Sequence, residues 1–200
     1  MYVAMDMKPR TYDMGTRQQA KSATRDGIIR AAIDTCMAQR SFEITLPAVA
    51  DRAGVTVKTV LRHFGSRDAL IDAACAQAYD EVMAERTPPP DDPDAALRLL
   101  VAHYDRMGEV VLTMLAEDNE PRTQLMNSNG RLAHRAWVEQ VFGSRLPTAP
   151  ESRSRLIDVL VVATDVYCWK LLRLDRGLSA DDVHDRMALM TEALLGGGPR

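Results

Sequence analysis

The sequence predicts an all-α protein built from two helical regions. Apolar residues recur at helical spacing along most of the 200 residues, and no period-two alternation extends beyond a few positions. The segment TPPPDDPD at 87–94 interrupts the helices, because three consecutive prolines cannot continue a helix. The charge also changes sign along the chain. Residues 1–67 hold 11 Lys/Arg and 6 Asp/Glu, a balance of +5, whereas residues 68–200 hold 14 and 22, a balance of −8.

The amino-terminal region is expected to begin with a flexible, net basic arm at 1–21. A first helix follows at about 24–40, with Thr24 as its N-cap and Asp26 in its first turn, where an acid interacts favourably with the helix dipole. The residues predicted to form its buried stripe are Ile28, Ile29, Ala32, Ile33, Cys36 and Met37.

Two short helices joined by a glycine turn are predicted between Thr45 and Phe64. Pro47 is tolerated in the first turn of one helix, Gly54 ends that helix by adopting a positive φ, and Thr56 caps the other. The second helix has an apolar face formed by Val57, Val60, Leu61 and Phe64. Such a pair is a helix-turn-helix, and the outward face of its second helix carries hydrogen-bond donors and no acid, which suits the major groove of DNA.

A fourth helix is predicted from its N-cap Ser66 to about Arg86, where the proline segment separates it from the rest of the chain. The predicted domains are therefore 22–86 and 87–200. The basic balance at the amino-terminal end is typical of a protein that presents one end to a polyanion.

The carboxy-terminal region is predicted to hold four further helical segments. The first runs over about 93–107, and Gly108 is expected to end or kink it before a piece that reaches 117. The next begins at Pro121 and continues through Trp137 to Phe142. After the break LPTAP, the last two are expected at about 151–175 and 179–195.

The segment at 151–175 is apolar on nearly every side, which indicates burial on every side. A domain of this size can cover one side, so we expect a second copy of the chain to cover the other. A stripe on the last helix is expected to join the same seam, at Val183, Met187, Met190 and Leu194. The prediction is a homodimer through 151–175 and 179–195; the alternative is that 151–175 lies at the centre of a monomer core.

No catalytic, metal or cofactor site is predicted. The four histidines include no pair at metal-ligand spacing, and no Walker loop, dinucleotide fingerprint or G-x-S-x-G is present. His103 and His134 are assigned either to a pocket or to the surface. The three cysteines lack a CxxC pair and are interpreted as buried apolar residues in a reducing compartment, with a sensing thiol as the alternative. Without a signal peptide or a membrane-spanning run, the protein is expected to be cytoplasmic.

The segment VADRAGVTVKTVLRHFGSRDAL, from Val49 to Leu70, resembles the DNA-binding domain of the TetR family of transcriptional repressors. The family pattern runs I-A-x-x-A-G-V-S, then T-[LIV]-Y-x-H-F, a small residue and S-K-x-x-L, and the resemblance is specific over about 22–85. Two positions depart from it. Leu61 stands where the family has a phosphate-contacting tyrosine, and Arg40 with Ser41 occupy the exit of the first helix, where the family has a glycine.

The resemblance implies double-stranded DNA as a partner, and the contacts are assigned to Thr45, Thr56, Val57, Lys58, Thr59, Arg62, His63 and Arg67. Lys58 is the candidate for reading a base, and Val57 is expected to touch a thymine methyl group. The roles of Thr56, Thr59, His63 and Arg67 are expected to be contacts with phosphates.

The resemblance also implies an inducer pocket, with no residue-by-residue match. Met and aromatic residues predict that it takes a small apolar or amphipathic molecule, and the candidates are Tyr104, Met107, Met114, Met126, Trp137 and Tyr167. The carboxy-terminal domain is thus interpreted as a ligand-binding and dimerisation domain of a repressor that binds a palindromic operator and that the ligand releases. The alternatives are a small-molecule-binding protein or enzyme in which the helix-turn-helix is only a packing motif, and an adaptor that has lost DNA binding.

Overall fold

The computed structural model describes residues 14–116 and 121–196, and all regular secondary structure in these ranges is helical, as the sequence predicts. Contacts between residues divide the chain into two units, Met1–Gln77 and Ala78–Arg200. This division falls inside the fourth helix, before the proline segment at which the sequence places its domain limit. Among the described helices, none combines the length and the apolar character that crossing a membrane requires.

The amino-terminal unit contains α1 (Met14–Gln39), α2 (Leu46–Ala53), α3 (Val57–Phe64) and the start of α4 (Arg67–Glu85). α2 packs against both α1 and α3. One apolar core joins these helices, and its fully buried members are Ile28, Ala32, Ile44, Val49, Val60, Leu70 and Ile71. Of the stripe predicted on α1, Ile28, Ile29 and Ala32 are buried, whereas Ile33, Cys36 and Met37 are half-buried. Leu61, which the sequence places on the apolar face of α3, is exposed instead.

The first helix begins earlier than predicted. Thr24 lies inside α1, and its hydroxyl donates to the carbonyl of Ala20 at 2.9 Å, so Thr24 is not an N-cap. Residues 14–21 are helical, and the prediction of a flexible arm is wrong for them; residues 1–13 lie outside the described part of the chain. A threonine can bond the carbonyl one turn back as readily as it can cap, and the sequence does not distinguish the two roles.

The exit of α1 closes in a Schellman motif. The amide of Ser41 donates to the carbonyl of Cys36 at 3.2 Å, and the amide of Arg40 donates to the carbonyl of Met37 at 3.3 Å. This geometry requires a left-handed residue, and Arg40 supplies it with a φ of 50°. The arginine therefore occupies the conformation for which glycine is the favoured residue.

The carboxy-terminal unit holds the end of α4 and the helices α5 (Pro93–Ala116), α6 (Pro121–Phe142), α7 (Pro150–Ala163), α8 (Val166–Lys170) and α9 (Ala180–Gly196). A single 3-10 turn follows α6, and a π-helical turn at Leu171–Asp175 extends α8. α5 packs against α6, α8 and α9, while α7 packs against α6 and α9. The resulting core is rich in large side chains, including Leu97, Leu100, Trp137, Val138, Phe142, Leu160, Trp169 and Met187.

Gly108 neither ends nor kinks its helix, contrary to the prediction. α5 continues through it to Ala116, and the glycine instead makes room for Trp169. A Cβ at this position would lie 2.4 Å from the Trp169 ring atom Cζ3. The glycine is therefore required by the close approach of α8, which is a tertiary contact that the local sequence does not reveal.

The predicted continuous helix at 151–175 is interrupted at Thr164 and Asp165. The Thr164 hydroxyl donates to the carbonyl of Leu160 at 2.8 Å, and the Asp165 carboxylate caps α8 by accepting from the amide of Tyr167 at 2.9 Å. These polar side chains offer the backbone an alternative to helical hydrogen bonds and so end α7.

Large apolar side chains on α7, on α8 with its π turn and on α9 nevertheless remain exposed, and together they are called the apolar surface here. They are Val159, Val162, Tyr167, Leu171, Leu174 and Leu189. Two members of the predicted α9 stripe, Val183 and Met187, are instead fully buried in the unit's own core. The prediction that these two join an intermolecular seam is wrong, because α9 turns them toward α5 and α7.

Candidate nucleic-acid interface and interior cavity

The turn between α2 and α3 is fixed by its backbone. Gly54 has a φ of 65°, and the amides of Gly54 and Val55 donate to the carbonyls of Asp51 and Ala50. Thr56 then caps α3 by accepting from the amide of Thr59 at 3.2 Å. Because both ends of the turn are satisfied locally, the direction of α3 is fixed with respect to α2.

The outward face of α3 carries the cations that the sequence assigns to DNA. Lys58 and Arg62 are one helical turn apart and both are exposed, whereas Val60 on the opposite face is fully buried. Among the described residues, neither Lys58 nor Arg62 forms an ion pair. An exposed pair of cations without acids is available to an external anion.

The remaining predicted contacts have different exposures. Thr45 and Thr56 are exposed, whereas Thr59 and His63 are half-buried. Val57 is also half-buried and packs against the core of its unit, so only part of its side chain is available to a base. Leu61, at the position of the family's tyrosine, is 40% exposed and presents an apolar side chain.

Three predicted contacts also have structural roles, and of these the sequence analysis assigned only the cap at Thr56. Thr45 is the N-cap of α2 and accepts from the amide of Ala48 at 3.3 Å. Thr56 caps α3, and its hydroxyl lies 3.0 Å from that of Thr59. Arg67 donates from Nε to the carbonyl of Ile44 at 2.7 Å and from Nη2 to that of Phe42 at 2.9 Å. Arg67 therefore links the start of α4 to the loop that leads into α2.

The predicted ligand residues do not gather at one site. Trp137 is buried and lines a cavity of about 340 Å³ in the carboxy-terminal unit. Tyr104 is buried in the core and donates to the carbonyl of Thr164 at 3.1 Å, while Tyr167 is 52% exposed. Met107, Met114 and Met126 are half-buried and do not line this cavity.

A polar cluster lies beside the cavity and was missed by the sequence analysis. The Arg86 guanidinium donates from Nη2 to His134 Nδ1 at 2.9 Å and lies over the Trp137 ring, with 5.8 Å between Cζ and the ring centroid. The Trp137 indole N–H donates in turn to the Arg86 carbonyl at 3.1 Å. His134 Nε2 lies 3.1 Å from the Thr164 hydroxyl. The sequence places Arg86 at the end of a helix, where a long cation is ordinarily solvated.

The two histidines of this region are buried, so the surface assignment is wrong. Burial, with the Arg86 charge as a further cause, lowers the pKa of His134 to about 4 and that of His103 to about 3. Both rings are therefore neutral at pH 7. Because arginine can only donate, His134 Nδ1 must accept and its proton is assigned to Nε2. Burial also lowers the pKa of Arg86 and raises that of Tyr104.

Metal and thiol chemistry find little support in the described ranges. Within them, no group of three or more His, Cys, Asp or Glu side chains is placed to hold a metal ion. The three cysteines are half-buried and form no disulfide. Burial raises the pKa of Cys36 and of Cys168, which disfavours the reactive thiolate.

The geometry of α2 and α3 agrees with what a comparison of families finds. Residues 28–74 match the family described as bacterial regulatory proteins, tetR family. The chain is 27% identical over 166 residues to the HTH-type transcriptional repressor KstR of Rhodococcus jostii (strain RHA1), a match that covers 78% of this chain and 76% of the repressor. The amino-terminal unit therefore carries a TetR-family domain over residues 28–74.

Solved structures share the fold of this chain. A tetR-family transcriptional regulator from Streptomyces coelicolor superposes with a TM-score of 0.68 at 16% identity, covering 88% of this chain and 82% of that one. A transcriptional regulator from Rhodococcus sp. RHA1 gives 0.66 at 16% identity, covering 86% and 96%. At these identities the likeness establishes the fold alone.

Proposed function

We propose that this protein is a cytoplasmic, non-enzymatic repressor that binds a palindromic operator as a homodimer and is released by a small amphipathic molecule. The observation that carries the DNA-binding part is the outward face of α3, on which Lys58 and Arg62 are exposed without acid partners among the described residues. Lys58 lies in the first turn of α3, the end of a recognition helix that reaches base edges. Thr56, Thr59, His63 and Arg62 flank it as donors to phosphates.

The roles of Thr45 and Arg67 are modified by their hydrogen bonds. Each already holds a backbone group of its own unit, and each lies beside the loop or the cap that orients α2 and α3. We propose that Thr45 meets a phosphate as the exposed N-cap of α2, where the helix dipole favours an anion. Arg67 acts mainly by positioning the loop at 42–44, so its replacement should weaken binding to all DNA sequences equally.

The proposed homodimer uses the apolar surface on α7, α8 and α9. Exposed apolar side chains that cluster on neighbouring helices are typical of interfaces between proteins. Val162 and Leu189 are 69% and 70% exposed and lie on helices that pack against each other. A two-fold dimer presents two copies of the recognition helix, and a palindromic operator presents two half-sites about one DNA turn, roughly 35 Å, apart.

The experiment for the DNA-binding part is capture of genomic fragments from the source organism by the purified full chain at moderate salt. We expect enriched fragments that share a short inverted repeat, and titration should then show a preference of at least about a thousandfold over random duplex. Enrichment without a shared sequence, or equal affinity for random duplex, would contradict the proposal and would favour the packing-motif alternative.

The experiment for the dimer is light scattering on the full chain and two charge variants. Val162→Glu places a carboxylate in the proposed interface and should give monomers or aggregates. Leu132→Glu is the matched control, because Leu132 is 65% exposed but lies on α6, outside the proposed surface. A monomeric wild-type protein, or equal effects of the two variants, would rule out this interface.

A further inference from the structure

Arg86 is a buried cation without an acid. The side chain is 8% exposed, and among the described residues it forms no ion pair. Its Nε is sealed from solvent and has no hydrogen-bond partner there. A guanidinium carries five N–H donors, and the contact with the His134 ring uses one of them. Burying a charge in this state is costly unless an anion compensates it.

The neighbours of Arg86 do not compensate its charge. Its hydrogen-bond acceptor is Nδ1 of the neutral His134 imidazole, whose other ring nitrogen, Nε2, lies 3.1 Å from the Thr164 hydroxyl. The Trp137 ring adds a cation–π contact, which is weak compared with a carboxylate. These contacts fix the guanidinium in place and leave its charge unpaired.

Arg86 also lines the cavity of about 340 Å³. Most other side chains of the lining are apolar or aromatic, namely Tyr79, Met83, Pro88, Ala133, Ala136 and Trp137, and Thr87 and Gln140 supply polar groups. This volume lies at the lower end of the range of small-molecule sites, which typically combine an apolar lining with few polar groups. A single cation among apolar walls suits one planar anionic group on an apolar body.

We propose that this cavity binds a small amphipathic monocarboxylic acid whose carboxylate pairs with the Arg86 guanidinium. The inference rests on the proposed function in one respect, namely that such an acid would be the molecule that releases DNA. His134 is a positioning residue that orients Arg86, and Tyr79, Met83 and Trp137 contact the apolar body. One cation favours a monocarboxylate over a phosphate ester, whose second charge would remain buried without a partner.

The test is a binding titration of the full chain with matched pairs of probes. Straight-chain carboxylates from hexanoate to dodecanoate and 2-naphthoate are each compared with the corresponding primary amide by calorimetry. We expect at least one acid to bind with one site per chain and at least tenfold more tightly than its amide, since a hydrogen bond to a charged group distinguishes the two. Failure of all these acids to bind, or equal binding of acid and amide, would overturn the proposal.

Two variants of Arg86 locate the site. Arg86→Gln should remove the preference for acid over amide, while Arg86→Lys, which keeps the charge, should retain a reduced preference. Arg98→Gln is the control, because Arg98 is exposed and paired with Asp94 in the same unit. If Arg86→Gln does not fold, the ratio of acid affinity to amide affinity in Arg86→Lys is compared with the same ratio in the wild type. A preference that is unchanged in every folded Arg86 variant would overturn the assignment to this cavity.

Binding of the captured DNA is measured on the same samples. Acids that bind through Arg86 and weaken DNA binding support both the site and its role in release. Acids that bind through Arg86 without changing DNA affinity support the site and contradict ligand release. DNA binding without any acid binding overturns the site and leaves the DNA-binding proposal intact.

Discussion

The two units treat their unpaired cations in opposite ways. The amino-terminal unit keeps Lys58 and Arg62 exposed, where an unpaired charge is solvated at little cost. The carboxy-terminal unit buries Arg86, where an unpaired charge costs far more. In each case the described residues supply no acid, so each site is open to an anion from outside the unit. The difference teaches that location indicates the size of the partner: an exposed face suits a polyanion, and a cavity suits a small acid.

Lowering the pH tests the comparison between the two units most strongly, because only the carboxy-terminal unit holds buried histidines with lowered pKa values. Unfolded histidines titrate near 6.5, whereas folded His134 and His103 titrate at about 4 and about 3. As the pH falls below 6.5, the unfolded state binds protons that the folded state does not, so stability present at pH 7 is lost. Each histidine should remove about 1.4 kcal/mol per pH unit in this window.

Unfolding in denaturant, followed between pH 7 and pH 5 by tryptophan fluorescence, measures this loss. Trp137 and Trp169 are the two tryptophans of the chain and both belong to the carboxy-terminal unit. His134→Gln should reduce the pH slope by about one proton. An unchanged slope in His134→Gln would contradict the assignment of a buried, neutral His134.

Packing density in the carboxy-terminal core is tested by Gly108→Ala. The added methyl group would meet the ring of Trp169, which is 2% exposed and has little room to move. We expect the free energy of unfolding to fall by about 1–3 kcal/mol, as for other overpacked cores. Gly130→Ala in α6 is the control, because no other helix comes within 4 Å of the place that its added methyl group would take, and it should stabilise by about 0.5–1 kcal/mol. Equal effects would refute the packing role of Gly108.

Variants of Arg67 and Arg62 distinguish a residue that positions the loop before α2 from one that contacts DNA. Arg67→Ala removes two hydrogen bonds to the carbonyls of Ile44 and Phe42 and should lower the stability of this unit by about 2 kcal/mol. Arg62→Ala removes an exposed side chain and should change stability by less than about 0.5 kcal/mol. Thermal unfolding followed by circular dichroism measures both. A stable Arg67→Ala that lost DNA affinity would show a direct contact with DNA instead.

The smallest expected effect lies at the exit of α1. Two Schellman motifs occur in the amino-terminal unit, one with Gly54 and one with Arg40 in the left-handed position. Arg40→Gly should stabilise by about 0.5–1 kcal/mol by relieving the conformation, while Arg40→Ala keeps the Cβ and should not. Destabilisation by Arg40→Gly would mean that the arginine side chain contributes more than its backbone strain costs.

Local signals in the sequence predict the amino-terminal unit well. Thr56 and Ser66 are confirmed as caps because each bonds an amide within its own turn. Gly54 likewise has the positive φ that its position in the turn requires. Thr24 was misassigned as an N-cap because a threonine hydroxyl can either accept from an amide of the following turn or donate to a carbonyl of the preceding turn. Sequence periodicity does not distinguish these two roles.

The interior of the carboxy-terminal unit was less predictable because its decisive contacts are distant in sequence. Gly108 meets Trp169, and Arg86 meets His134, across helices that the sequence alone does not place together. The helix at 151–175 was predicted as continuous because its apolar pattern passes through Thr164 without change. A polar side chain that bonds its own backbone interrupts the helix without altering that pattern.

The account's central claim is that the exposed donors of α3 read DNA, and the most direct measurement compares Lys58→Ala with the wild type on the captured duplex and on random duplex. We expect the variant to lose about 1–3 kcal/mol on the captured duplex, little on random duplex, and no thermal stability. Lys170→Ala, in the carboxy-terminal unit, should leave both affinities unchanged. Equal losses of affinity on the two duplexes would mean that Lys58 contacts phosphates and not bases. No loss of affinity on either duplex would contradict the claim that α3 is the recognition helix.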